Sequence, residues 1–233
     1  MGRKRVWISL FGITMAYFEA AVVVYLRTIA YPEGFQFPLE SVPIRVALTE
    51  IGREAASLAM IWAVAALAGR GRRERFAVFL VVFGIWDIGY YLWLKVLLGW
   101  PASLFTWDVL FLIPVVWSAP VLAPVLTAGV MILVGWVLLK PVQPSGTKPG
   151  DNQTIMPVMP VGDWARLTTG AAIVFAAFIR DYLRFVANHG GGKILTDAWA
   201  LAGLYTPDSF PWLLFLIGWS LLIWTGIRIF RAR

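Results

Sequence analysis

The stretch IWAVAALAGRGRRERFAVFLVVFGIW, Ile61 to Trp86, sets a short basic segment between two apolar runs. The runs continue in both directions, over roughly Arg45–Gly69 and Phe76–Trp100. Each is long enough to cross a hydrocarbon layer as a helix, for which about 20 apolar residues are needed. The segment between them, GRGRRER (Gly69–Arg75), has the composition of a short loop held at a charged membrane face.

The rest of the chain has the same character. Of 233 residues, 60% are hydrophobic and 14% charged, with a mean hydropathy of +0.75. A soluble domain of this length has too much surface to hide so many apolar side chains. An all-α integral membrane protein follows. The 13 tryptophans suit the lipid–water interface. There are no cysteines and a single histidine, His189. Haem, zinc-thiolate and iron–sulfur sites are therefore not expected from this chain alone. The net charge of +7 could suggest nucleic acid. The basic residues instead cluster at the ends of apolar segments, where they orient a membrane protein.

Six spans can be laid out: Trp7–Arg27, Arg45–Gly69, Phe76–Trp100, Pro120–Lys140, Trp164–Ala187 and Pro211–Phe230. The beginning, MGRKRVWISLFGITMAYF, is expected to be an uncleaved first span, because its apolar run is too long for a signal peptide. GRKR near the start, GRGRRER and the late RIFRAR are all basic. Placed on the cytoplasmic side, they predict a plasma (inner) membrane protein with both termini inside. The linker 141–163, rich in Pro, Gly and polar residues, then joins a four-span part (1–140) to a two-span part (164–233) on that same side.

One segment is irregular. WDVLFLIPVVWSAPVLAP (Trp107 to Pro124) is apolar but interrupted by Pro114, Pro120 and Pro124. Proline ends or kinks helices. A half-helix or interfacial helix leading into the fourth span is expected, with a kinked extension of that span as the alternative. The connection YPEGFQFPLES (Tyr31 to Ser41) has turn chemistry and aromatics, and suits a cover on the outer side.

With depth assigned, the charges inside the spans fall almost entirely in the outer half. Glu19 lies on the first span and Glu50, Arg53 and Glu54 on the second. Asp87 and Lys95 lie on the third, Asp108 opens the broken segment, and Arg180, Asp181 and Arg184 come late in the fifth. Glu50, Arg53, Glu54 and Ser57 share one helical face, as do Asp87, Tyr90, Tyr91 and Lys95. A charge at a helix centre costs about 2.5–3.5 kcal/mol on insertion scales. These groups are therefore expected to face one another around an outward-facing polar cavity.

Carboxylates without histidine or cysteine favour acid–base work or a hard divalent cation. No Glu-x-x-His spacing, Gly-x-Ser-x-Gly elbow or His-Glu-x-x-His motif occurs. The leading expectation is a protein that binds or modifies a membrane lipid or other amphiphile. Glu50, Glu54, Asp87, Glu19 and Asp108 are its acid–base candidates. Arg53, Arg180, Arg184, Tyr91 and Lys95 are its substrate-binding candidates, the arginines as bidentate clamps for a phosphate or carboxylate. Two alternatives stand beside it: a non-catalytic accessory subunit of a larger membrane complex, whose buried charges meet a protein partner in the membrane, and a transporter or proton conductor. The apolar inner halves argue against the last.

Overall fold

A computed structural model describes residues 2–40, 43–140, 159–192 and 201–231. Six long helices dominate: α1 (Gly2–Ala30), α2 (Ile44–Ala68), α3 (Arg72–Leu98), α4 (Leu122–Leu139), α5 (Val161–His189) and α6 (Trp212–Arg231). Each overlaps one of the expected spans. Five of them are long and apolar enough to cross a membrane, and the chain is a multi-pass membrane protein. The exception is α5, which is 29 residues long. Arg180, Asp181 and Arg184 interrupt its apolar run.

The helices run alternately up and down, so every basic segment gathers at one end of the bundle. There Lys4 of α1 pairs with Glu74 of α3, and Arg5 lies over the Trp136 ring of α4. Lys140 lies over Phe230 of α6, while Arg228 of α6 and Arg166 both bond Asp163 of α5, at 2.8 and 2.7 Å. These contacts fix the start of α5 at the basic end beside the end of α6.

Helix α3 is the centre. It packs against α1, α2 and α4, while α6 lies against α4 and α5 against α6. Within hydrocarbon there is no apolar burial from water to drive helices together, so close approach at small residues does much of the packing. A Cβ on Gly84 would stand 2.6 Å from the Ala128 carbonyl of α4, and one on Gly218 would stand 2.9 Å from the Gly170 carbonyl of α5. Val78, Val81 and Val82 of α3 are fully buried. The packing of α4 on α6, and of α5 on the segment before α4, joins the four-span and two-span parts. The linker residues 141–158 lie outside the described residues.

The proline-broken segment corrects the expectation of a half-helix or interfacial helix. It forms an antiparallel hairpin, β1 (Trp107–Phe111) and β2 (Trp117–Pro120), with Asp108 opposite Ala119. Pro114 falls in the turn and Pro120 ends β2. Pro124 falls in the first turn of α4, where a missing N–H costs nothing. The aromatic and β-branched residues between them suit strands. The adjoining backbone is also satisfied: Val121 and Leu122 N–H donate to the carbonyls of Thr106 and Leu104 at 3.0 and 2.7 Å. Three helices hold the hairpin: Glu54 of α2 accepts the Leu112 N–H at its tip, Tyr91 of α3 bonds Asp108, and Phe175 of α5 packs on Trp117.

Candidate functional site

The charges of the second span part company. Arg53 pairs with Glu50 one turn earlier, at 2.8 Å, and also with Glu19 across on α1. Ser57 Oγ donates to Glu19 at 3.2 Å. Since α1 and α2 meet only sparsely along their lengths, this ion set is their main tie. Glu54 faces elsewhere. Both of its carboxylate oxygens accept the Leu112 N–H at the hairpin tip, at 3.0 and 2.9 Å. The Glu54 side chain is buried, so the hydrogen bonds are made out of competition with water.

Asp108 on β1 is only 2% exposed. It accepts a hydrogen bond from Arg27 Nη2 at 3.0 Å and one from the Tyr91 hydroxyl at 3.1 Å. The Arg27 guanidinium lies between the rings of Trp100 and Phe35, 3.8 and 4.3 Å from their centroids. Asp108 on one edge and the two aromatic faces stabilise the desolvated guanidinium, while its buried Nη1 has no hydrogen-bond partner among the described residues. Phe35 belongs to the expected cover, which thus folds over the Arg27–Asp108 pair. Its Tyr31 hydroxyl accepts the Glu40 N–H at 2.8 Å, and burial raises the Tyr31 pKa. Beyond it, Tyr205 donates to Asp181 of α5 at 2.8 Å and lies 2.6 Å from the Ser118 hydroxyl of β2. Burial also holds the Tyr205 hydroxyl well above the usual phenol range.

The remaining candidates are not drawn into this region. Arg180 and Arg184 are exposed on α5. Lys95 Nζ donates to the carbonyls of Gly99 and Pro101, at 2.9 and 2.8 Å, and so closes the end of α3. His189 is exposed, with Nδ1 2.9 Å from the Phe185 carbonyl. Among the described residues no three His, Cys, Asp or Glu side chains converge as a metal site would require.

Asp87 differs from Glu19, Glu50, Glu54 and Asp108. Among the described residues no side chain or backbone donor bonds it, and no cation pairs with it. It opens instead on a cavity of about 400 Å³ enclosed by α3, α4, α5 and the hairpin. Phe76, Leu80, Phe83 and Asp87 form the α3 wall at helical spacing, Thr127 and Met131 line the α4 side, and Phe175 the α5 side. Leu110, Phe111 and Trp117 of the hairpin also line it. Asp87 and Thr127 are the polar side chains in an otherwise apolar wall. Helices α3 and α5 do not pack along their lengths. They meet through Phe76 and Trp164 near the basic end, with ring centroids 5.0 Å apart. At the other end the hairpin bridges the gap, Trp117 lying 4.7 Å from Phe175 and Phe111 6.3 Å from Phe83. Between floor and roof the cavity is partly open to the outside of the bundle.

The expected polar cavity shared by the carboxylates is not what forms. The cavity is lined mostly by apolar residues, and Asp87 alone of the five carboxylates lines it. Sequence reasoning did not identify Arg27 as the partner of Asp108. The nearest signal for the cavity was the apolar 3.6-residue repeat leading up to Asp87. Fold and site together define a multi-pass helical membrane protein with a hairpin-roofed intramembrane cavity. Comparison with protein-family models, with curated proteins and with solved structures gives no match.

Proposed function

We propose that this protein binds a membrane amphiphile, with its hydrocarbon chain in the cavity between α3, α4 and α5 and its polar group at Asp87. The observation that carries this reading is the cavity itself: about 400 Å³, apolar along its length, with a lone unbonded carboxyl in its wall. That volume lies at the low end of small-molecule pockets, which run from about 300 to 1,000 Å³, and suits a single chain. An ionisable residue within a span is a functional candidate by default. Asp87 alone of the five candidate carboxylates lacks a structural partner among the described residues. A carboxyl so placed can accept a hydrogen bond and exchange a proton with a bound hydroxyl or amine.

The basic end of the bundle, by the positive-inside rule, faces the cytoplasm of a plasma (inner) membrane. The N-terminal end of α1 and the C-terminal end of α6 then lie inside, α5 is the sixth crossing, and the hairpin faces outward.

The test is photolabelling in lipid nanodiscs with a hexadecyl chain that carries a diazirine. Adducts are expected on Phe83, Met131 and Phe175, and filling the cavity with Ala171→Phe should remove them. Adducts spread instead over the lipid-exposed Leu67, Val96 and Leu133, and unchanged by Ala171→Phe, would overturn the reading.

A partner in the membrane is the second reading. It draws on Arg180 and Arg184, exposed one turn apart on α5 with no acidic partner among the described residues. Recovery of a stoichiometric partner with the wild type, lost on Arg180→Leu, would favour it.

A further inference from the structure

We infer that the polar group of the amphiphile is an uncharged or cationic hydrogen-bond donor, an alcohol or an amine, and not a phosphate or carboxylate. This rests on the amphiphile reading above. It follows from where the cations of the outer half are committed. Arg53 is held by Glu19 and Glu50. Arg27 is held by Asp108 and flanked by two aromatic rings. Lys95 is bonded to two carbonyls at the end of α3. Arg180 and Arg184 lie on the exposed side of α5 and do not line the cavity. Among the described residues no cation reaches the cavity wall.

Two polar side chains among the described residues reach it, and neither brings a positive charge. The Asp87 carboxyl has no donor among the described residues and accepts through both oxygens when ionised, through one when protonated. The Thr127 hydroxyl spends its proton on the Ala123 carbonyl, at 2.9 Å, which leaves its oxygen as an acceptor. An anionic headgroup would meet a carboxyl and an acceptor hydroxyl, with Asp108 close behind Asp87 and no counter-charge. An alcohol would satisfy Asp87 with a neutral hydrogen bond. An ammonium would do so with a charge-assisted one, roughly twice as strong. The pocket that α3 and α4 build is therefore matched to a donor headgroup by composition, and its rejection of phosphate follows from the same residues.

The experiment uses the purified full chain in nanodiscs and three diazirine probes that share one hexadecyl chain and end in an amine, a hydroxyl or a phosphate. Cavity labelling at Phe83, Met131 and Phe175 is expected to be at least about tenfold weaker for the phosphate than for the amine. Asp87→Asn should lower amine labelling by about tenfold while leaving the unfolding temperature unchanged, because no described partner is lost. Phosphate labelling of the cavity as strong as that of the amine overturns this inference and leaves the amphiphile reading standing. So does an unchanged order of the three probes in Asp87→Asn. Failure of all three to label the cavity, with adducts only on the lipid-facing surface, overturns both.

Discussion

Glu54→Ala should release the hairpin from α2 without unfolding the bundle. The Glu54 carboxylate meets the Leu112 N–H with both oxygens, at 3.0 and 2.9 Å, and is 7% exposed. A hydrogen bond to a charged group contributes about 1.5–3 kcal/mol, and a buried N–H left without an acceptor costs a comparable amount. Local opening of the hairpin tip should therefore become easier by about that much, and amide exchange there faster by roughly ten- to a hundredfold. Glu54→Gln keeps one neutral acceptor and should fall between the variant and the wild type. Hydrogen exchange followed by mass spectrometry on peptides covering 107–117 reads the effect directly, with α6 peptides as the control. Unchanged exchange at the hairpin tip in Glu54→Ala would refute the reasoning. Equal acceleration in α6 would also refute it, because it would mean that the whole bundle, and not the hairpin, depends on this bond.

Arg53→Ala strands Glu19 and Glu50, and breaking a buried pair in this way should cost about 3–5 kcal/mol. A large fall in unfolding temperature in detergent is expected, much of it recovered when Glu19 and Glu50 are also changed to Leu. Asp108→Leu leaves Arg27 buried without its carboxylate and should destabilise by a similar amount. Asp87→Leu, with no described partner to lose, should be neutral or stabilising, and equal losses from the two would contradict the distinction drawn between them. Gly218→Val forces a side chain against the Gly170 carbonyl and should cost about 1–3 kcal/mol by overpacking, seen as a lower unfolding temperature. A cysteine at Gly71 should resist an impermeant thiol reagent in right-side-out membranes, while one at Gln36 should react. The opposite pattern would invert the orientation.

The spans were legible because insertion depends on summed hydropathy, a property of one segment at a time. The gathering of basic segments at one end was legible for the same reason. What depends on partners was not. Trp107–Pro124 read as broken helix because proline and apolar residues suit a helix break and a hairpin equally well. The decision lies with Glu54, Tyr91 and Phe175, on three other helices. Arg27 marks the end of the first span in sequence. Only the fold brings Asp108, far along the chain, to its guanidinium and sets Trp100 and Phe35 on its faces.

Most of the buried charge turns out to be structural. Within TEIGREAASLAM (Thr49 to Met60), Arg53, braced by Glu50 on its own helix, ties α2 to Glu19 of α1, and Glu54 ties it to the hairpin. Five carboxylates expected to share one site are thus divided by their partners: two to Arg53, one to backbone N–H, one to Arg27 and Tyr91, and Asp87 to none among the described residues. The cost of placing a charge in the membrane explains why the first four are paired. It leaves Asp87 as the position where the protein forgoes that compensation, and the cavity beside it holds the space in which a ligand can supply it.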